Sequence, residues 1–136
     1  VQTALTIEQL LALQKKADNV YVDPSLIEYA VRLATATRNP SEIGLKELER
    51  FILFGASPRA SINLILAARA LAFVRDYALP QDVFDMAFDV MRHRIVLSYE
   101  ALSENMSGDI LLKKILDRIP IPAAPLHEHV NAGNNA

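Results

Sequence analysis

The sequence predicts a mostly α domain: five helices in a bundle-like arrangement around one central apolar helix at 58–76, with at most a minimal two-stranded β element. Three observations carry this. Apolar residues recur at spacings of three and four in several separate stretches, the period of a helix with a buried face. Helix-start chemistry stands in front of those stretches, at Thr6, Asp23-Pro24, Ser57-Pro58, Pro80 and Ser107. Short extended runs are confined to Val20-Tyr21-Val22, Phe51 to Phe54 and Ile95-Val96-Leu97.

Taken in order, Thr6-Ile7-Glu8-Gln9 reads as a capping box, and Ile7, Leu10, Leu11 and Leu13 form the inward face of a first helix ending near Ala17. Lys15 and Lys16 suit the negative end of its dipole. After the extended piece at Val20, Asp23-Pro24 opens a second helix whose Leu26, Ile27, Tyr29, Ala30, Val31, Leu33 and Ala34 make it largely buried; Asn39-Pro40 stops it. Residues 41–50 are the least regular, with Leu45, Leu48 and Ile52 at helical spacing but Gly44 between loop residues. The third helix, 58–76, is apolar almost all round and is expected to be packed by the others, with Arg69 and Arg75 bounding its thin exposed stripe. Tyr77 to Val83 partly echoes Tyr21 to Leu26, an extended pair followed by a Pro that opens a helix. A fourth helix spans about 81–92 with Val83, Phe84, Ala87, Phe88 and Met91 inward, and Ile95-Val96-Leu97 is placed to pair with Phe51 to Phe54. Ser107 caps a fifth helix to about Arg118, with Ile110, Leu111, Ile115 and Leu116 inward. Ile119-Pro120-Ile121-Pro122 forces an extended exit. The domain therefore covers 1–122, and 123–136, rich in Asn and Gly at its end, reads as a disordered tail.

The stretch that organises the chain is Phe54-Gly55-Ala56-Ser57-Pro58-Arg59-Ala60. Ser57 is a good N-cap, Pro58 has φ preset for the first helical position, and Gly55 permits a sharp turn or a close backbone approach. Arg59 falls in the first turn, where a cation faces the positive end of the dipole at a cost of ~0.3–1 kcal/mol. A guanidinium held there suits an anion, because helix N-termini offer free N–H groups and Arg adds a planar fork that matches phosphate; a solvated Arg or a carboxylate pair is the plain alternative. Asn63, one turn on, can support Arg59, touch a ligand or simply face water.

Read together, Phe51 to Ala60, Ala67-Ala68-Arg69-Ala70 and Arg92-His93-Arg94 closely resemble the C-terminal lid of MoxR-type AAA+ ATPases, over roughly 6–122. The resemblance implies that Arg59 is the second sensor arginine, reaching from the lid to the phosphates of ATP; Ser57 and Asn63 are added as candidate nucleotide-binding residues from their place at the same helix start. It further implies ATP and Mg²⁺ as cofactors of a longer parent chain, none bound by this part alone. The implied partners are the nucleotide-binding domain of the same chain, neighbouring subunits of a ring and a client protein remodelled in a chaperone-like way.

Other features limit the alternatives. A net charge of −2 disfavours a nucleic-acid binder, including a helix-turn-helix protein, which would also need a basic recognition face. The absence of Cys removes disulfides, thiolate chemistry and Cys-based zinc sites. No apolar run reaches the ~18–20 residues that span a bilayer, so a cytoplasmic location is expected. His127-Glu128-His129 lies in the tail with no third ligand nearby, and metal binding is not expected there. His93 between two arginines suits a helix C-terminus. Asp82, Asp85 and Asp89 read as a solvated acidic face, with a partner-binding surface as the alternative. No Gly-rich loop ending in Gly-Lys-Ser/Thr is present, nor an acidic cluster after an apolar strand, so this stretch carries the lid without the phosphate-cradling engine and is not itself an enzyme. The opening at Val1, directly into helix-forming residues, suggests a piece of something longer. The rival reading is a stand-alone helical protein–protein interaction module with no nucleotide role.

Overall fold

A computed structural model describes residues 4–123. They form seven α-helices, α1 (Ile7–Asp18), α2 (Pro24–Ala36), α3 (Pro58–Leu71), α4 (Pro80–Asp85), α5 (Ala87–Met91), α6 (Tyr99–Ser103) and α7 (Gly108–Arg118), and a two-stranded antiparallel sheet, β1 (Ile52–Phe54) with β2 (Val96–Leu97). Short 3₁₀ segments occupy Pro40–Ile43, Lys46–Phe51 and Arg92–Arg94. The mostly α class and the minimal sheet are as expected; the strands pair Ile52 with Leu97 and Phe54 with Val96, with an irregularity between.

The core is a single cluster centred on the packing of α2 against α3, with α4, α5 and α7 closing around it. On α2 the buried face is Leu26, Tyr29, Ala30, Leu33, Ala34 and Ala36. On α3 it is Ala60, Ser61, Leu64 and Ala68, continued by Ala72. Alanines at these positions let two backbones approach closely, and close packing gives each leucine many dispersion contacts.

Several expectations are corrected. The third helix ends at Leu71, where tighter turns take over (the Phe73 N–H donates to the Ala70 carbonyl and the Arg75 N–H to the Ala72 carbonyl), and Asp76 beyond them adopts a left-handed φ of 62°. It is not apolar-buried all round: Ile62 and Leu66 are exposed, so α3 has one inward face. Helix α1 forms as expected, with Thr6 Oγ1 accepting the Gln9 N–H and the Gln9 side chain accepting the Thr6 N–H, yet none of its residues is buried and Ile7 is 78 % exposed. Ile27 and Val31 of α2 and Ile110 of α7 face outward, and Leu112 is buried in place of Ile110. The fourth helix is two: at Met86, ψ of −7° tightens the turn between α4 and α5. Helix α6, capped by Ser98, stands where a loop was expected.

The echo between Tyr21 and Tyr77 is a contact. The Tyr21 N–H donates to the Asp76 carbonyl at 3.1 Å and the Ala78 N–H to the Tyr21 carbonyl at 2.9 Å, a parallel bridge joining the two extended pieces ahead of α2 and α4. The acidic face is corrected too. Asp82 is 4 % exposed, accepts from Arg75 at 2.5 and 2.6 Å and from the Leu79 N–H at 2.7 Å, and so locks the start of α4 to the turn after α3. The Asp82 hydrogen bond, with the carboxylate charge behind it, holds the Arg75 guanidinium above its ordinary value. Asp85 and Asp89 remain exposed, Asp85 accepting from Gln81 at 2.6 Å. Arg69 and Arg75 do not act alike: Arg69 is half-buried, its Nε without a hydrogen-bond partner among the described residues. Ile119 is buried and Ile121 is 40 % exposed; the tail and His127-Glu128-His129 lie outside the described residues.

Candidate functional site

The chain leaves β1 at Phe54 and enters α3 through Gly55-Ala56-Ser57. Two side chains from the end of α2 hold this connection. Thr37, fully buried at the C-cap, donates its hydroxyl to the Ala34 carbonyl at 2.7 Å and accepts the Ala56 N–H at 2.8 Å. Arg38 donates from Nη1 to the Ala56 carbonyl at 2.6 Å and from Nη2 to Thr35 Oγ1 at 3.2 Å. Both ends of the Ala56 peptide are thus paired to α2, which a residue with no access to water requires. Gly55 makes the approach possible: a Cβ there would run into the Thr37 carbonyl and lie 2.7 Å from Arg38 Cγ.

Ser57 stands at the N-cap with extended backbone (φ −71°, ψ 166°), but its hydroxyl makes no cap hydrogen bond, which corrects the expectation. The Ala60 N–H that such a cap would take is already bonded to the Ser57 carbonyl at 2.8 Å, and Pro58 brings no N–H. Instead Ser61 turns its hydroxyl to the Pro58 carbonyl at 2.7 Å. Ser57 Oγ stays exposed beside the helix start.

Arg59 is exposed in the first turn of α3, and among the described residues it makes no hydrogen bond and no ion pair. Asn63, half-buried one turn later, is likewise without a side-chain hydrogen bond among them. Arg59, Ile62, Asn63 and Leu66 follow helical spacing along one side of α3, so the cation heads a partly apolar exposed stripe. Other arginines of the domain are committed: Arg50 pairs with Glu100 and Glu104 at 2.6 and 2.7 Å, Arg75 with Asp82, and Arg92 with Asp109 at 3.2 Å. Hydrogen bonds donated to Glu100, then to Glu104, raise the Arg50 guanidinium above its ordinary value.

A neighbouring cleft of about 360 Å³ runs along β1 and is lined by Arg38, Pro40, Glu49, Ile52, Leu53, Phe54 and Gly55; Ser57, Arg59 and Asn63 are not among its walls. No group of His, Asp or Glu that could hold a metal ion occurs among the described residues, and no helix there is long and apolar enough to cross a membrane. Thr37 and Arg38 were invisible to sequence reasoning. They meet Ala56 across 19 and 18 residues, and no local periodicity reports such a contact.

Comparison with known proteins places this geometry. Residues 47–115 match the family model described as the AAA lid domain. The chain is 43 % identical over 130 residues to Chaperone MoxR1 of Mycobacterium tuberculosis, covering 92 % of this chain and 34 % of that protein. It is 39 % identical over 112 residues to Protein MoxR of Paracoccus denitrificans, covering 76 % of this chain and 33 % of that one. A crystal structure of a candidate ATPase from Cytophaga hutchinsonii superimposes with a TM-score of 0.86 at 38 % identity, over 90 % of this chain and 38 % of that one. The chain thus spans about a third of the length of the curated relatives it matches. It belongs to the AAA lid domain family and is the lid region of a MoxR-type AAA+ ATPase.

Proposed function

We propose that this lid closes over ATP held by a separate phosphate-binding domain of the parent chain, and that Arg59 contacts the phosphates on closure. The observation that carries the reading is an exposed guanidinium, without a partner among the described residues, at the N-terminal turn of a 14-residue helix in a lid of this family. Local electrostatics disfavours a cation there, and a polyphosphate reverses the sign of that interaction. The planar fork meets phosphate oxygens bidentately, while the uncapped Ser57 hydroxyl and Asn63 are within the same helix start to add neutral hydrogen bonds. Exposed Ile62 and Leu66 support closure as well, because they continue the Arg59 side as a surface that another domain can cover. Mg²⁺ is assigned in this reading to the phosphate-binding domain, beside the phosphates whose charge it neutralises. In this reading the parent is an ATP hydrolase that works in a ring and spends the hydrolysis cycle on remodelling a client protein.

Arg59→Ala in the full-length parent tests it. A hydrogen bond to a charged group contributes ~1.5–3 kcal/mol, so nucleotide affinity or turnover is expected to fall roughly ten- to a hundredfold. Arg59→Lys should recover only part, keeping the charge and losing the fork. The melting temperature should stay level or rise slightly, because a cation leaves the positive end of the dipole. Wild-type binding and turnover in Arg59→Ala would make Arg59 an ordinary surface arginine.

A further inference from the structure

The loop that carries Arg59 is held from outside, and we infer that Thr37 and Arg38 are positioning residues for Arg59; this rests on the phosphate-contact reading above. The Ala56 peptide is gripped at both ends, its N–H by Thr37 Oγ1 at 2.8 Å and its carbonyl by Arg38 Nη1 at 2.6 Å. The grip is itself anchored, because the Thr37 hydroxyl donates a hydrogen bond to the Ala34 carbonyl at 2.7 Å. Gly55, with no Cβ to strike the Thr37 carbonyl, lets the loop lie flat against the end of α2. Thr37 and Ala56 are both fully buried, so water cannot substitute for their contact.

Arg59 follows Ala56 by three residues, at the first turn of α3. A tilt of the Ala56 peptide tilts the helix start and moves the end of the long Arg59 side chain by more than it moves the backbone. Arg38 sits just past the C-terminus of α2, where a cation is favoured by that helix's dipole, so its charge is stabilised where it stands. Thr37 is fully buried, and Arg38 lines the cleft along β1, whose walls do not include Arg59. Their influence on nucleotide therefore passes through the geometry of Arg59 and not through a contact of their own.

The experiment is a double-mutant cycle in the full-length parent, reading ATP turnover and the affinity of a fluorescent ATP analogue below each variant's melting temperature. Thr37→Val keeps the shape and loses the hydroxyl; Thr37→Ser returns it. Arg38→Met removes an exposed guanidinium and is expected to disturb folding less than Thr37→Val, which removes a fully buried hydroxyl. Misplacing a reacting or binding group by about 1 Å can cost as much as a hundredfold. Thr37→Val and Arg38→Met are each expected to lower turnover roughly tenfold, with Thr37→Ser recovering most of it. In the Arg59→Ala background the same changes should cost less than about twofold, since groups acting through a common residue are not additive. Equal losses in both backgrounds, or no loss while Arg59→Ala is impaired, overturn the positioning role and leave the phosphate reading intact. Wild-type turnover in Arg59→Ala overturns the phosphate reading, and the positioning role falls with it.

Discussion

Ser57 and Thr37 exchange the roles their residue types suggest. Ser57 occupies a cap position and caps nothing, while Thr37, at the far end of another helix, satisfies the Ala56 N–H ahead of α3. The sequence shows which residues can donate and accept; the distance-19 pairing needs the fold that brings α2 against α3. The place of Arg59 in the first turn of α3 was legible because it is local, a cation at the disfavoured end of a dipole. Tyr29 is a different kind of residue: its hydroxyl is buried and has no partner among the described residues. Burial pushes its phenol above the ordinary value of 10.0. Below that pH both folded and unfolded chains keep the proton, so Tyr29 adds no pH dependence. Above it the unfolded chain releases the proton first, and stability falls as pH rises toward the folded value. Tyr29→Phe removes an unpaired O–H at almost constant volume and should be neutral or stabilising by ~0–1 kcal/mol. Thermal melts at neutral pH and near pH ~10.5–11 would show it, the variant losing less stability at the alkaline end. A drop at neutral pH of more than about 5 °C, roughly 1 kcal/mol for a domain near this size, would mean the hydroxyl has a partner.

At the scale of elements, helix starts were the most legible feature. Thr6, Asp23 and Ser107 all accept the backbone N–H expected of a cap. Where helices end and what they face was read less well, and the reasons are tertiary. Apolar residues on α1 and on the outer sides of α2 and α3 keep helical spacing without being covered, so periodicity alone reports more burial than exists. The 3₁₀ segments of residues 40–51 bury Pro40, Leu48 and Phe51 without one sustained period, and Gly44 turns between them at φ 77°. Helix α1 gives the clearest element-level prediction. It has its capping box, Glu8 in the first turn and Lys15 and Lys16 in the last, but no buried residue; Lys16 Nζ over the Phe73 ring at 5.4 Å is a surface contact. Isolated helices shorter than ~12–15 residues are marginal in water. Amide hydrogen exchange on this chain should therefore find α1 opening at low free energy, well before α2 and α7. Protection of α1 equal to that of α2 would show that its packing is stronger than its exposure implies.

The molecule as a whole is stitched across long sequence distances at several places: the Tyr21–Tyr77 bridge, the β1–β2 pair and Arg50 clamped by Glu100 and Glu104. Leu26, Leu33, Leu48, Leu64, Leu111 and Ile115 are fully buried in one cluster, so the domain has a core of its own and should fold without the rest of the parent. Folding and catalysis then separate cleanly. Phosphoryl transfer needs a backbone cradle for the phosphates, a lysine on them and ligands for Mg²⁺. This sequence contains no Gly-rich loop ending in Gly-Lys-Ser/Thr, and a lone Arg59 supplies charge at one point without positioning a water for attack. Incubated with ATP and Mg²⁺, the isolated chain should melt cooperatively, as a single small domain does, and release phosphate no faster than buffer. Phosphate release that follows the protein through repurification, and that disappears in Arg59→Ala, would mean that the lid carries catalytic machinery of its own. An inert isolated chain, with Arg59→Ala impairing the full-length parent, would instead assign the chemistry to the phosphate-binding domain and to the lid the task of closing it.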